Sequence, residues 1–168
     1  MQKKFDDMVM RCEGMMRDVG FELPKGIKYS INKRLTSTLG RCIRKGTQYR
    51  IEIAHYVMEA SVVSKDETQA MDTILHEMCH ALPNGWSHGE IWKRYADKIN
   101  RTYGYNISRL ATLSDTEKMI MNKGKVMKLI ICKSKACKFE IEKPNTSVYV
   151  REVGRYSCPV CGSRLEVI

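Results

Sequence analysis

Apolar positions near the N-terminus recur at three- and four-residue intervals, with Phe5, Met8, Val9, Cys12, Met15, Met16 and Val19 on one side of a helix. Gly20 ends the run, so residues 3–20 are predicted as an amphipathic helix whose methionines fill a core. From Ile27 to Met58 the period shortens to two, as in Ile27-Lys28-Tyr29-Ser30-Ile31 and Tyr49-Arg50-Ile51-Glu52-Ile53. Gly40 and Lys45-Gly46-Thr47 break these runs as turns, which predicts a small three-stranded, mostly antiparallel sheet. Ser64 and Glu67 have the spacing of a capping box for a helix beginning near Lys65. Its apolar side is Ala70, Ile74, Leu75, Met78 and Ala81, and Pro83-Asn84-Gly85 stops it. Ser87 and Glu90 repeat the capping spacing and open a second helix through Ile91, Trp92, Tyr95 and Ile99 to about Tyr103.

Residues 106–124 read as a linker with one short helical stretch, capped by Ser114 and Glu117. Beyond Gly124 the pattern is strand-like again, with cysteine pairs at both ends. The expected fold class is α+β: a domain over 1–105, a linker over 106–124 and a small zinc module over 125–168.

The helix expected after Lys65 carries His76-Glu77-Met78-Cys79-His80, an HExxH arrangement. Residues four apart on a helix point the same way, so both imidazoles can bind one metal ion, and Glu77 lies close enough to act on a water beside it. A catalytic zinc takes three protein ligands and leaves a position open. His88 is the natural third, since the Pro-Asn-Gly turn can fold the chain back; Glu90 and Asp97 are the other candidates. His55 reads as structural or exposed, and Cys79 as small core filling. Tyr95 and Tyr103 are on or beside the second helix, but no spacing singles either out as a group that stabilises an oxyanion.

Cys132-x4-Cys137 and Cys158-x2-Cys161 read as a four-thiolate zinc ribbon. A closed shell of this kind is structural and supplies folding energy that so small a module lacks. One catalytic and one structural zinc are therefore expected.

Composition adds two things. The formal net charge of +10 favours polyanionic partners such as nucleic acid, although a merely soluble basic protein has the same balance. Basic residues interleave with Phe139, Tyr149 and Tyr156 around the expected ribbon, a combination suited to single-stranded nucleic acid. No apolar run is long enough to span a bilayer, and the N-terminus does not read as a secretion signal. A reducing cytoplasm is the expected compartment, with cysteines as thiols or metal ligands.

The stretch His76-Glu77-Met78-Cys79-His80-Ala81, followed by His88-Gly89-Glu90-Ile91-Trp92-Lys93, resembles the SprT-like metallopeptidases, which include Spartan-type DNA–protein crosslink proteases. Ile31-Asn32-Lys33-Arg34-Leu35 and Leu39-Gly40-Arg41-Cys42 are similar to that family's strand region. The resemblance implies His76, His80 and His88 as zinc ligands, Glu77 as catalytic base, and a C-terminal zinc ribbon. It also implies a protein substrate associated with DNA, in single-stranded or junction form. A nucleic-acid-binding regulatory protein with a dormant site and a general peptidase without a nucleic-acid role are the competing expectations.

Overall fold

In the computed structural model, which describes residues 1–110 and 113–168, the chain divides into two compact units, Met1–Met121 and Asn122–Ile168. The N-terminal periodicity becomes helix α1 (Gln2–Asp18), with Phe5, Met8, Cys12 and Met16 wholly buried. Three strands follow: β1 (Lys28–Asn32), β2 (Gly40–Lys45) and β3 (Gln48–Ala54). The order is β1-β3-β2. Strands β2 and β3 form the expected antiparallel hairpin, with Lys45 opposite Gln48 and Gly46 at φ 60° in the turn.

The β1 pairing differs from expectation. It runs parallel to β3, Lys28 beside Arg50 through Asn32 beside Ala54, so the sheet is half parallel and half antiparallel. Alternation along a strand defines its faces but not the direction of its neighbour, and residues 33–39 carry the chain past β3 before the hairpin begins.

The alternating pattern also ends earlier than Met58. Helix α2 (His55–Val63) begins directly after β3 and buries Tyr56, Val57, Met58, Ala60 and Ser61. Its exposed positions include Val62 and Val63, so polarity does not mark its solvent side and the period is hidden. Helix α3 (Thr68–Ala81) starts three residues later than the expected capping box would place it. Ser64 closes α2 instead, and Asp66 Oδ1 accepts the Thr68 N–H at 2.9 Å. Glu67 is drawn away to Lys4 and Arg11 on α1. Helix α4 (Glu90–Tyr103) likewise begins without the Ser87–Glu90 box; Glu90 turns to Lys93 at 3.2 Å, and Gly104 in the left-handed region ends the helix.

Helix α3 is the centre of this unit, packing on α1, α2, α4, β2 and β3. Ile74, Leu75, Met78 and Cys79 are fully buried on it, each large apolar side chain contributing about 1.5–3 kcal/mol. Gly40 lets β2 approach α3 closely: a Cβ there would lie 3.0 Å from Thr73 Cγ2 and 3.1 Å from Glu77 Cγ. The stretch expected as a linker is largely part of this unit. Ile107 is buried, and Leu113, Ile120 and Met121 pack on the core. Ala111 and Thr112 of that stretch lie outside the described residues. Helix α5 (Asp115–Asn122) has the expected cap, Ser114 and Glu117 exchanging side-chain and backbone bonds.

The second unit is an antiparallel sheet in the order β5-β4-β6, from β4 (Met127–Cys132), β5 (Glu140–Pro144) and β6 (Leu165–Val167). The short helix α6 (Val148–Arg151) and a 3-10 turn at Val153–Arg155 join β5 to β6. Its small core is Ile130, Cys132, Cys158 and Leu165. No helix among the described residues is long and apolar enough to cross a membrane.

Candidate metal centre

Two faces of α3 have opposite chemistry. The apolar face enters the core; the other carries His76, Glu77 and His80 into a groove of about 730 Å³. Strand β2 supplies one wall of that groove and residues 106–110 another.

The turn after α3 brings His88 back onto the histidines of the helix. The Nε2 atoms of His76, His80 and His88 lie 3.0, 3.1 and 3.3 Å from one another. Bonds of about 2.0–2.1 Å to a tetrahedral ion put ligand nitrogens about 3.3–3.4 Å apart, so this spacing suits one ion. The outer nitrogens give a second test of fit. His76 Nδ1 lies 3.1 Å from the Ser108 carbonyl, and His80 Nδ1 lies 2.8 Å from the Gly85 carbonyl. A carbonyl only accepts, so both rings carry their proton on Nδ1 and turn a bare Nε2 lone pair inward. Lone pairs held this close repel unless a cation sits among them.

Burial holds the rings neutral. It pushes His76 down to about 4, with the neighbouring His80 and His88 adding to the effect. His80 and His88 are also lowered, burial being the main cause in each. Trp92 of α4 packs against all three rings, with centroids 4.7, 5.5 and 4.7 Å away. Among the described residues no other histidine, cysteine or carboxylate joins this cluster. Asp97 is exposed on α4, Cys79 is in the core, and His55 lies 3.5 Å from Glu59 at the start of α2.

Glu77 is 6% exposed and lines the groove beside the histidines. Burial pushes its carboxyl up to about 8, and a hydrogen bond from the Cys42 N–H pulls the other way. The Cys42 thiol is itself pushed up to about 12 by burial and stays protonated.

The supports of the cluster are backbone groups with no sequence signal. Gly85 approaches the end of α3 so closely that a Cβ would lie 2.1 Å from the Cys79 carbonyl oxygen. Ser108 is positioned through its neighbours. Asn100 holds Ile107 by both ends of its amide, at 3.0 and 2.8 Å, and Asp72 accepts the Asn106 N–H at 3.1 Å. The hydroxyls of Tyr95 and Tyr103 face the Pro83 carbonyl and Asp18.

In the second unit the sulfurs of Cys132, Cys137, Cys158 and Cys161 all lie within 4.8 Å of one another. Cys132 and Cys161 are 3.4 Å apart, and Cys137 and Cys158 are 3.7 Å apart, with no disulfide. Sulfurs about 2.3 Å from a tetrahedral zinc would be separated by about 3.8 Å, so four thiolates fit a closed site. Hydrogen bonds from Ser163 pull the Cys161 thiol down, while burial pushes the Cys132 thiol up.

Residues 4–111 match the SprT-like family. The chain is 30% identical over 96 residues to the germ cell nuclear acidic protein of Homo sapiens. That match covers 49% of this chain and 13% of the human protein.

Proposed function

This chain belongs to the SprT-like family, and on that premise we propose that its first unit is a zinc-dependent metallopeptidase acting on DNA-associated proteins. The observation that carries the reading is the convergence of three bare Nε2 atoms within 3.3 Å beside a buried carboxylate. His76, His80 and His88 would hold the catalytic zinc. When bound, such an ion supplies Lewis acidity to a peptide carbonyl and to water. Glu77 is the base: it takes the proton of the attacking water and passes it to the leaving amine. Its burial beside the histidines keeps bulk water from competing for that proton. Ser108 and Gly85 hold the His76 and His80 rings in place through their carbonyls. The four cysteines hold a second, structural zinc.

The nucleic-acid half rests on the second unit. Tyr149 is half exposed and stacked on Tyr156 with centroids 4.3 Å apart, and the Lys143 ammonium lies 5.9 Å from the Tyr149 ring. Lys128, Lys135, Lys138, Arg151 and Arg164 belong to the same unit. Exposed aromatic faces among cations favour single-stranded DNA.

Metal analysis of wild type against His80→Ala tests the first half: about two zincs per chain should fall to about one. Glu77→Gln should keep both ions and lose turnover, and a fully active variant would contradict the assigned base. Cleavage of a DNA-binding protein should accelerate when DNA is added. Equal rates with and without DNA at low salt would remove the nucleic-acid half alone.

A further inference from the structure

Along α3 toward its first turn the groove changes character. Gln69, Asp72, Thr73 and His76 share one face of the helix and all line the groove. The Asp72 Oδ1 accepts the Asn106 N–H at 3.1 Å. Tyr56, from the start of α2, also lines this space; it is 6% exposed, and its hydroxyl has no partner among the described residues. Glu117 of α5 is 1% exposed and close enough for its charge to act on Tyr56. Its Oε2 binds Ser114, while its Oε1 is also without a partner among the described residues.

Two cations line the same groove. Arg41 is tied to Glu52 at 2.8 and 2.9 Å, and Arg109 sets its charge against His88. Besides these arginines the groove therefore holds the Asp72 carboxylate and the buried Tyr56 hydroxyl, with Glu117 close to Tyr56. An acidic side chain entering there would meet like charge. An apolar one would leave the Tyr56 hydroxyl unpaired and the Asp72 carboxylate dry beyond its bond from the Asn106 N–H. A lysine or arginine side chain satisfies both.

We infer that this end of the groove is a specificity subsite for a basic side chain of the substrate, bound by the Asp72 carboxylate and the Tyr56 hydroxyl. The inference rests on the peptidase reading, and its test is a binding measurement that needs no turnover. Zinc-loaded Glu77→Gln protein is titrated with two series of fluorescent peptides. In each, one position at a time is lysine or the uncharged norleucine. At one position lysine should bind about tenfold more tightly or better, because a polar subsite discriminates strongly against a side chain that leaves it unpaired.

Adding Asp72→Asn keeps the acceptor for Asn106 and removes the charge. The preference should fall to within about twofold, with the melting temperature unchanged. Tyr56→Phe should lose part of the preference and be no less stable, since the hydroxyl it removes has no partner among the described residues. Equal affinity for lysine and norleucine at every position would overturn the subsite, as would a preference that survives Asp72→Asn. Lysine-selective binding with no Glu77-dependent cleavage by wild type would keep the subsite and remove the peptidase reading.

Discussion

A single methyl group at residue 85 should dismantle the histidine cluster. The Cβ of a Gly85→Ala variant would lie 2.1 Å from the Cys79 carbonyl oxygen and 3.2 Å from the Leu82 carbonyl oxygen. Both are backbone atoms at the end of α3, so no side-chain rotation relieves the overlap, which exceeds 1 Å against an ordinary contact of about 3.2–3.5 Å. The 82–85 turn must move outward, carrying the carbonyl that holds His80 Nδ1 at 2.8 Å. Overpacking of this severity destabilises by about 3 kcal/mol or more. For a unit of this size that lowers the melting temperature by roughly 10 °C or more. Loss of the ring's orienting bond should weaken zinc at the histidines about 10- to 100-fold. Gly89→Ala is the control, because its Cβ would meet only Ser87 Oγ at 3.4 Å. Competition against a fluorescent chelator, with melts of apo and zinc-loaded protein, reads both effects. A Gly85→Ala protein with wild-type zinc affinity and melting temperature would refute the reasoning.

Other expectations follow from the same contacts. In zinc-free protein the Glu77 carboxyl is raised from 4.5 to about 8, so its contribution is most favourable below pH 4.5 and is lost as pH rises toward 8. Glu77→Gln removes that titration, so the chelated variant should exceed chelated wild type by on the order of 1–3 kcal/mol near pH 8 and lose the advantage near pH 4.5, in urea melts. A variant advantage that did not change with pH would contradict the burial argument. Gly40→Ala presses on Glu77 Cγ and Thr73 Cγ2, and should reduce peptide turnover about tenfold or more while zinc content stays constant. Asn100→Ala frees Ile107, and with it the Ser108 carbonyl, so zinc should bind the histidines about tenfold more weakly by chelator competition. Cys158→Ala should remove one zinc per chain and leave the histidine-bound ion, by metal analysis after gel filtration.

Side-chain chemistry was far more legible in the sequence than its supports. His76, His80 and His88, with Glu77, stood out because a helix period and one turn suffice to bring them together. The four cysteines stood out because pairs at short spacing have few other uses where thiols stay reduced. Ser108 acts through its carbonyl, which every residue has, so its identity carried no mark of the role; Gly85 was legible as a turn residue, but not as the partner of His80. The Asp72 and Tyr56 end of the groove had a partial signal, since Asp72 is one turn before His76, but Tyr56 reaches it only through the tertiary packing of α2. The parallel partner of β1 and the true start of α3 were decided by long-range contacts: Glu67 was taken by Lys4 and Arg11, far away in the chain.

One strip of backbone, residues 106–110, serves both as a wall of the groove and as the prop behind the first histidine. With the proposed ion in place, whatever lodges against that wall is felt at the metal, and the coupling of affinities runs equally in both directions. On the proposed function, a bound polypeptide should change the affinity for the metal, and the metal should change the affinity for the polypeptide by the same factor.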